Sequence, residues 1–114
     1  MKLLAVEDDP TLQRLLVRFL GKTYEIIVAN DGIEGLQQYC LYKPDGIITD
    51  FDMPNMNGDE LVAKIRQMGD RLPIIGSSGN LQNKDRFMEV GCTTFIEKPY
   101  TLEVLSKTIE AYLR

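Results

Sequence analysis

The sequence predicts an α/β protein, a (βα)5 chain folding into a doubly wound five-stranded parallel sheet, and two observations carry that prediction. Short apolar runs rich in β-branched residues alternate with stretches of helical periodicity, the pattern of buried parallel strands joined by crossover helices. Four of these runs also stop abruptly on polar side chains. Leu3-Leu4-Ala5-Val6 meets Glu7 and Asp8, Ile47-Ile48-Thr49 meets Asp50, Leu72-Pro73-Ile74-Ile75 leads to Ser77 and Ser78, and Phe95-Ile96-Glu97 meets Lys98-Pro99. In an open parallel sheet the carboxyl ends of the strands share one edge, where ligands bind. Three acids, a hydroxyl and an ammonium therefore converge.

The elements follow in order. After strand 1, Asp9 is suited to cap a helix that opens on Pro10, shows Leu12, Leu15, Leu16, Phe19 and Leu20 on one face, and ends at Gly21. Strand 2 spans Tyr24 to Ala29. Asn30 or Asp31 can cap a helix carrying Ile33, Leu36 and Cys40, closed before Pro44. Strand 3 spans Gly46 to Asp50, and turn formers fill Met53 to Gly58. A third helix presents Leu61, Val62, Ile65 and Met68 and stops at Gly69. Strand 4 runs from Leu72 to about Ser77, helix 4 from Gln82 to Val90 with Gly91 after it, and strand 5 from Thr94 to Glu97. Thr101 caps a last helix bearing Leu102, Leu105, Ile109 and Tyr112.

Length and composition set bounds. The 114 residues predict one domain over 1–114, able to bury a core without staples. A formal charge of −4 argues against binding a phosphate backbone, so no direct DNA contact is expected. The opening apolar stretch is too short for a signal peptide or membrane span, which predicts a cytoplasmic protein with no membrane contact. Cys40 and Cys92 lack metal-type spacing and read as two buried thiols of a reducing compartment. The absence of His removes Ser-His catalysis and any phosphohistidine on the chain itself.

The converging acids carry the chemistry. Ionised carboxylates at about 4 Å repel by roughly 4 kcal/mol per pair at an effective dielectric near 20, and a hard divalent cation relieves that repulsion. All-oxygen ligation selects Mg2+, with Mn2+ as the alternative. Carboxylate, Mg2+, the Lys98 ammonium and a hydroxyl are what phosphoryl transfer needs, because it depends on positioning and charge neutralisation. Asp50, ending the strand expected at the centre, is the natural nucleophile, and an aspartyl phosphate is the covalent outcome. Glu7 and Asp8 suit metal ligation. Ser78 is the candidate donor, with Ser77 its rival. Asp9, just before Pro10, reads as a helix cap and stays outside the site.

These residues match a family. LLAVEDDP, IITDFDMPNMNG, PIIGSSG and GCTTFIEKP agree in order and spacing with the receiver domain of bacterial response regulators, which the chain resembles over essentially its whole length. The resemblance implies a flavodoxin-like sheet of order 2-1-3-4-5 and a single-domain receiver like the chemotaxis regulators. It implies that Asp50 accepts a phosphoryl group from a sensor histidine kinase or histidine phosphotransfer protein. Glu7, Asp8, Asp50 and the backbone carbonyl of Asp52 would hold Mg2+, Lys98 would pair with the phosphoryl group and Ser78 would donate to it. The chain would assist only its own phosphorylation and dephosphorylation. Ser78 and Phe95 would form the switch, remodelling a face of helix 4, strand 5 and helix 5 for a downstream partner. A cis Lys98-Pro99 bond is also implied.

The departures from the family are specific. Glu7 stands where Asp is commoner, Ser78 where Thr is usual, and Phe95 lacks the phenol of the common Tyr. Tyr100 stands where Phe is common and reads as packing. Asp52 and Asn80 occupy positions that tune access of water to the acyl phosphate, and Gly79 leaves that side open. The interval from Ser78 to Lys98 is shorter than usual, which predicts a mobile segment before helix 4 and an altered output face. Asp50-x-Asp52 with Ser78 and Lys98 is also similar to the haloacid dehalogenase-type phosphohydrolases. Glu7 with the same pair resembles the metal-binding domain of topoisomerases and primases. A receiver acting only as a scaffold is a third alternative.

Overall fold

The computed structural model describes residues 1–113. The chain alternates β1 (Lys2–Val6), α1 (Pro10–Leu20), β2 (Glu25–Ala29), α2 (Gly32–Tyr42), β3 (Gly46–Asp50), α3 (Gly58–Gln67), β4 (Ile74–Ser78), α4 (Gln82–Val90), β5 (Thr94–Glu97) and α5 (Leu102–Tyr112). All neighbouring strands pair in parallel in the order β2-β1-β3-β4-β5, the doubly wound order.

Strand alternation divides the interior into two cores. In β1, Leu4 and Val6 face the core shared with Leu61, Val62 and Ile65 of α3 and Phe87 of α4. Leu3 and Ala5 face the core shared with Leu16 and Leu20 of α1 and Leu105 and Ile109 of α5. Local signals set the helix ends. Asp9 accepts from Thr11 N with Pro10 in the first turn, Asp31 accepts from Glu34 N, Thr101 accepts from Val104 N, and Gly91 closes α4 at φ 108°. The Lys98-Pro99 peptide is cis.

Several expected faces need correction. Ile33 and Cys40 are exposed, because α2 turns Gly32, Gly35, Leu36 and Tyr39 inward. A Cβ at Gly35 would come within 3.1 Å of Val6, so close helix–sheet packing selects that face. Cys92 alone of the two thiols is buried, and burial pushes it up to about 12. Leu15 and Phe19 sit on the rim of α1, where Leu16 and Leu20 alone are buried. Met68 falls after α3 and Tyr112 lies on the outer face of α5, both exposed. β2 starts at Glu25 because the amide of Tyr24 still bonds back to Leu20 O. β4 starts at Ile74 because Pro73 has no N–H for the ladder, and it runs on through Ser78.

Candidate functional site

The site is built at the carboxyl edge from the ends of four strands. Asp50 is the last residue of the central strand β3, and Glu7 and Asp8 follow β1 beside it. Lys98 follows β5, and its reach spans the end of β4. Carboxylate oxygens of Glu7, Asp8 and Asp50 lie within 4.8 Å of one another, the one such acidic group among the described residues. Lys98 Nζ donates to Glu7 Oε1 at 2.9 Å and lies 3.4 Å from Asp50 Oδ1.

The first ring of backbone and side-chain contacts orients these groups. Asp9 N donates to Glu7 Oε2 at 3.1 Å, and Phe51 N to Asp50 Oδ1 at 2.9 Å. Gln13 Nε2 reaches the Glu7 carbonyl at 3.1 Å. The loop after β3 folds back so tightly that Gly58 N donates to Phe51 O at 2.7 Å. A Cβ at Gly58 would stand 2.0 Å from Asp50 O, so only glycine allows this return. Asp52 is exposed at the start of that loop.

Burial is the main electrostatic cost. It raises the carboxyls of Glu7 and Asp50 above their ordinary values, against the pull of Lys98 on both. For Lys98 burial acts downward, yet the bond to Glu7 and the charges of Asp50 and Glu7 outweigh it and hold the ammonium above its usual value. Tyr100, whose phenol is also raised by burial, packs with the α1–α5 core as expected. With every group ionised, three carboxylates and one ammonium leave two negative charges, matching one divalent cation. The all-oxygen donor set and its spacing fit Mg2+.

Ser78 ends β4 and is buried, as is Ser77, whose register partner is Asp50. Ser78 Oγ accepts from Asn80 N at 3.1 Å and from Asn83 Nδ2 at 2.9 Å. Asn80 Oδ1 in turn accepts from Gln82 N at 2.9 Å. Phe95 is partly buried, its ring 6.2 Å from that of Phe87. Gln13 and Asn83 were not visible as site neighbours in the sequence. Each reaches back from a helix to a strand end, and no local pattern records such a contact. Mobility is expected between Ser78 and α4, and any such motion must break the ties of Ser78 to Asn80 and Asn83.

The sequence matches the family described as response regulator receiver domain across residues 3–110. The chain belongs to this family. It is 38% identical over 115 aligned residues to the sensor histidine kinase RcsC of Salmonella typhimurium, covering 98% of this chain and 12% of that protein. It is 34% identical to the response regulator MprA of Mycobacterium leprae, covering all of this chain and 51% of that one. The chain thus spans a small part of the first relative and about half of the second. Among solved structures, the chemotaxis protein CheY4 of Vibrio cholerae superposes with a TM-score of 0.91 at 32% identity, covering 98% of each chain. The receiver domain protein from Methanospirillum hungatei gives 0.92 at 25% identity, over 98% of this chain and 92% of that one.

Receiver domains are signalling modules of two-component systems and not a catalytic enzyme family, and this chain is one of them. Among the described residues, no helix is long and apolar enough to cross a membrane.

Proposed function

We propose that residues 1–114 form one receiver domain whose phosphoacceptor is Asp50. A carboxylate oxygen of Asp50 attacks the phosphorus of a phosphohistidine on a sensor histidine kinase or histidine phosphotransfer protein. The new P–O bond forms as the P–N bond breaks, and the imidazole leaves with the electron pair and takes a proton from solvent. Glu7, Asp8, Asp50 and the carbonyl of Asp52 would hold Mg2+, which when bound supplies charge neutralisation at the phosphoryl oxygens. Lys98 moves from its bond with Glu7 toward the phosphoryl group, and Ser78 donates its hydroxyl to the same group. Hydrolysis at Asp50 later resets the domain, assisted by this chain and no separate active site.

The observation that carries this reading is the placement of Lys98 Nζ between Glu7 and Asp50, with the three acids within 4.8 Å. A lone acid at a strand end is usually a cap; a paired triad with a lysine is not. The phosphoryl group adds about −1.5 to −2 charges, which favours conformers that bring donors to it. Phe95 and the face of α4, β5 and α5 carry that change to a downstream protein, and exposed Leu81 just before α4, Met88 on α4 and Val104 on α5 offer apolar contacts. The acidic surface leaves DNA outside the direct partners, and the cytoplasm is where such a transfer takes place.

The test is incubation with phosphoramidate and Mg2+ followed by intact mass measurement. Wild type should gain the mass of one phosphoryl group, lose it in alkali, and fail to gain it in EDTA or as Asp50→Asn. Equal labelling of Asp50→Asn overturns the assignment. Repeated turnover of a chromogenic phosphate ester would instead favour a phosphohydrolase.

A further inference from the structure

Asp50 and Ser78 must approach the same phosphoryl group, yet in this structure their hydrogen bonds point to different neighbours. Asp50 is bonded by Phe51 N and lies beside Lys98, whereas Ser78 Oγ is bonded by Asn80 N at 3.1 Å and Asn83 Nδ2 at 2.9 Å. A serine hydroxyl has two acceptor sites, and these two donors fill them. Asn80 is the neighbour but one of Ser78, so its contact is a local turn. Asn83 is different, because it is a side chain of α4 itself.

The Asn83 contact is fixed by packing in register. Phe87 is fully buried over Gly76, where a Cβ would stand 2.7 Å from its ring. Asn83 and Phe87 are four apart on α4, on one face and about 6 Å apart along the axis. Gly76 and Ser78 are two apart on β4, on one face and about 6.6 Å apart along the strand. The two spacings match, so seating Phe87 on Gly76 sets Asn83 over Ser78. Only residues 79–81 separate β4 from α4, which leaves little slack. Arg86 Nε bonded to Asp59 Oδ2 at 2.8 Å ties the same helix to α3.

We infer that Asn83 is a latch: its amide holds the Ser78 hydroxyl against the first turn of α4 and so opposes the turn of Ser78 toward a phosphoryl group on Asp50. This rests on the phosphoacceptor reading of Asp50. Asn83 acts through Ser78 and is a positioning residue. Release of the amide when Ser78 turns is also how the site reports to α4, since the same bond joins the two. The conformer with Ser78 turned inward is disfavoured by the bond it breaks, and apparent affinity for a phosphoryl mimic scales with the fraction of that conformer.

The experiment is calorimetric titration of the full chain with beryllofluoride at saturating Mg2+, comparing wild type, Asn83→Ala, Ser78→Ala and the double variant. Alanine raises helix propensity at this partly exposed position, so the fold is kept. Loss of one neutral hydrogen bond from the resting state should tighten Kd by about two- to tenfold in Asn83→Ala. The same change in the Ser78→Ala background should leave Kd unaltered. An unchanged or weaker Kd for Asn83→Ala, in a wild type that binds, overturns the latch alone. Equal tightening in both backgrounds also overturns it, because the amide would then act elsewhere. Failure of wild type to bind overturns the Asp50 reading and the latch with it.

Discussion

Replacing Lys98 with methionine keeps most of the unbranched side chain and removes its charge. At an effective dielectric near 20, the 2.9 Å contact to Glu7 is worth about 6 kcal/mol and the 3.4 Å contact to Asp50 about 5 kcal/mol. Desolvating the ammonium offsets several kcal/mol of this, and breaking a buried pair costs about 3–5 kcal/mol net. The side chain of Lys98 keeps 24% of its exposure against 5% for Glu7, so the lower end applies, about 3 kcal/mol. An unfolding entropy of about 2.1 cal/mol/K per residue makes that a fall in Tm of about 12 °C. The assay is thermal and urea denaturation in EDTA at neutral pH.

The deficit has a pH signature. Burial already raises Glu7 above its ordinary 4.5, and loss of Lys98 raises it further. A carboxyl raised on folding weakens the protein while ionised and regains stability as pH falls through its folded value. The gap between Lys98→Met and wild type should therefore close on acidification, and narrow when Mg2+ is added at neutral pH. In a Glu7→Gln background the same substitution should cost clearly less. Equal melting of Lys98→Met and wild type in EDTA, or full additivity with Glu7→Gln, would refute the pairing.

Three further outcomes are expected. Gly76→Ala should destabilise by about 1–3 kcal/mol in urea through overpacking on Phe87, and Phe87→Leu should relieve part of that cost. The hydrogen bond from Tyr39 holds the Asp70 carboxyl below its ordinary 3.8, so it contributes stability above that pH which is lost as pH falls through the folded value. Tyr39→Phe should thus be less stable than wild type at neutral pH, with the two curves converging in acid. A native thiol titration should give one fast equivalent from exposed Cys40, with Cys92 reacting only on unfolding.

The strands, their direction and the acids at their ends were legible because each depends on local pattern. A four-residue apolar run cannot solvate itself, and the residue that stops it lies at the strand end. Which helix faces turn inward was less legible. Ile33 and Cys40 satisfy an apolar stripe on α2, but two glycines decide the packing: Gly35 lets the helix approach Val6 of the sheet, and Gly32 lets it approach Met56 in the loop after β3. Leu15 and Phe19 on α1 show the same limit: an apolar stripe wider than the sheet can cover leaves its edges exposed. At the site, Glu7, Asp8, Asp50 and Lys98 were readable from topology. The bond of Asn83 to Ser78 was not, since it depends on where Phe87 seats α4.

The most direct measurement is the position of the acyl phosphate itself. Protein treated with phosphoramidate and Mg2+ is reduced with borohydride, which converts an aspartyl phosphate to homoserine, and its peptides are sequenced by mass spectrometry. Homoserine at position 50 and at no other acid is the predicted result. Homoserine at position 8 or 52 with Asp50 intact, or none at all in protein carrying a stable phosphoryl group, would contradict Asp50 as the acceptor.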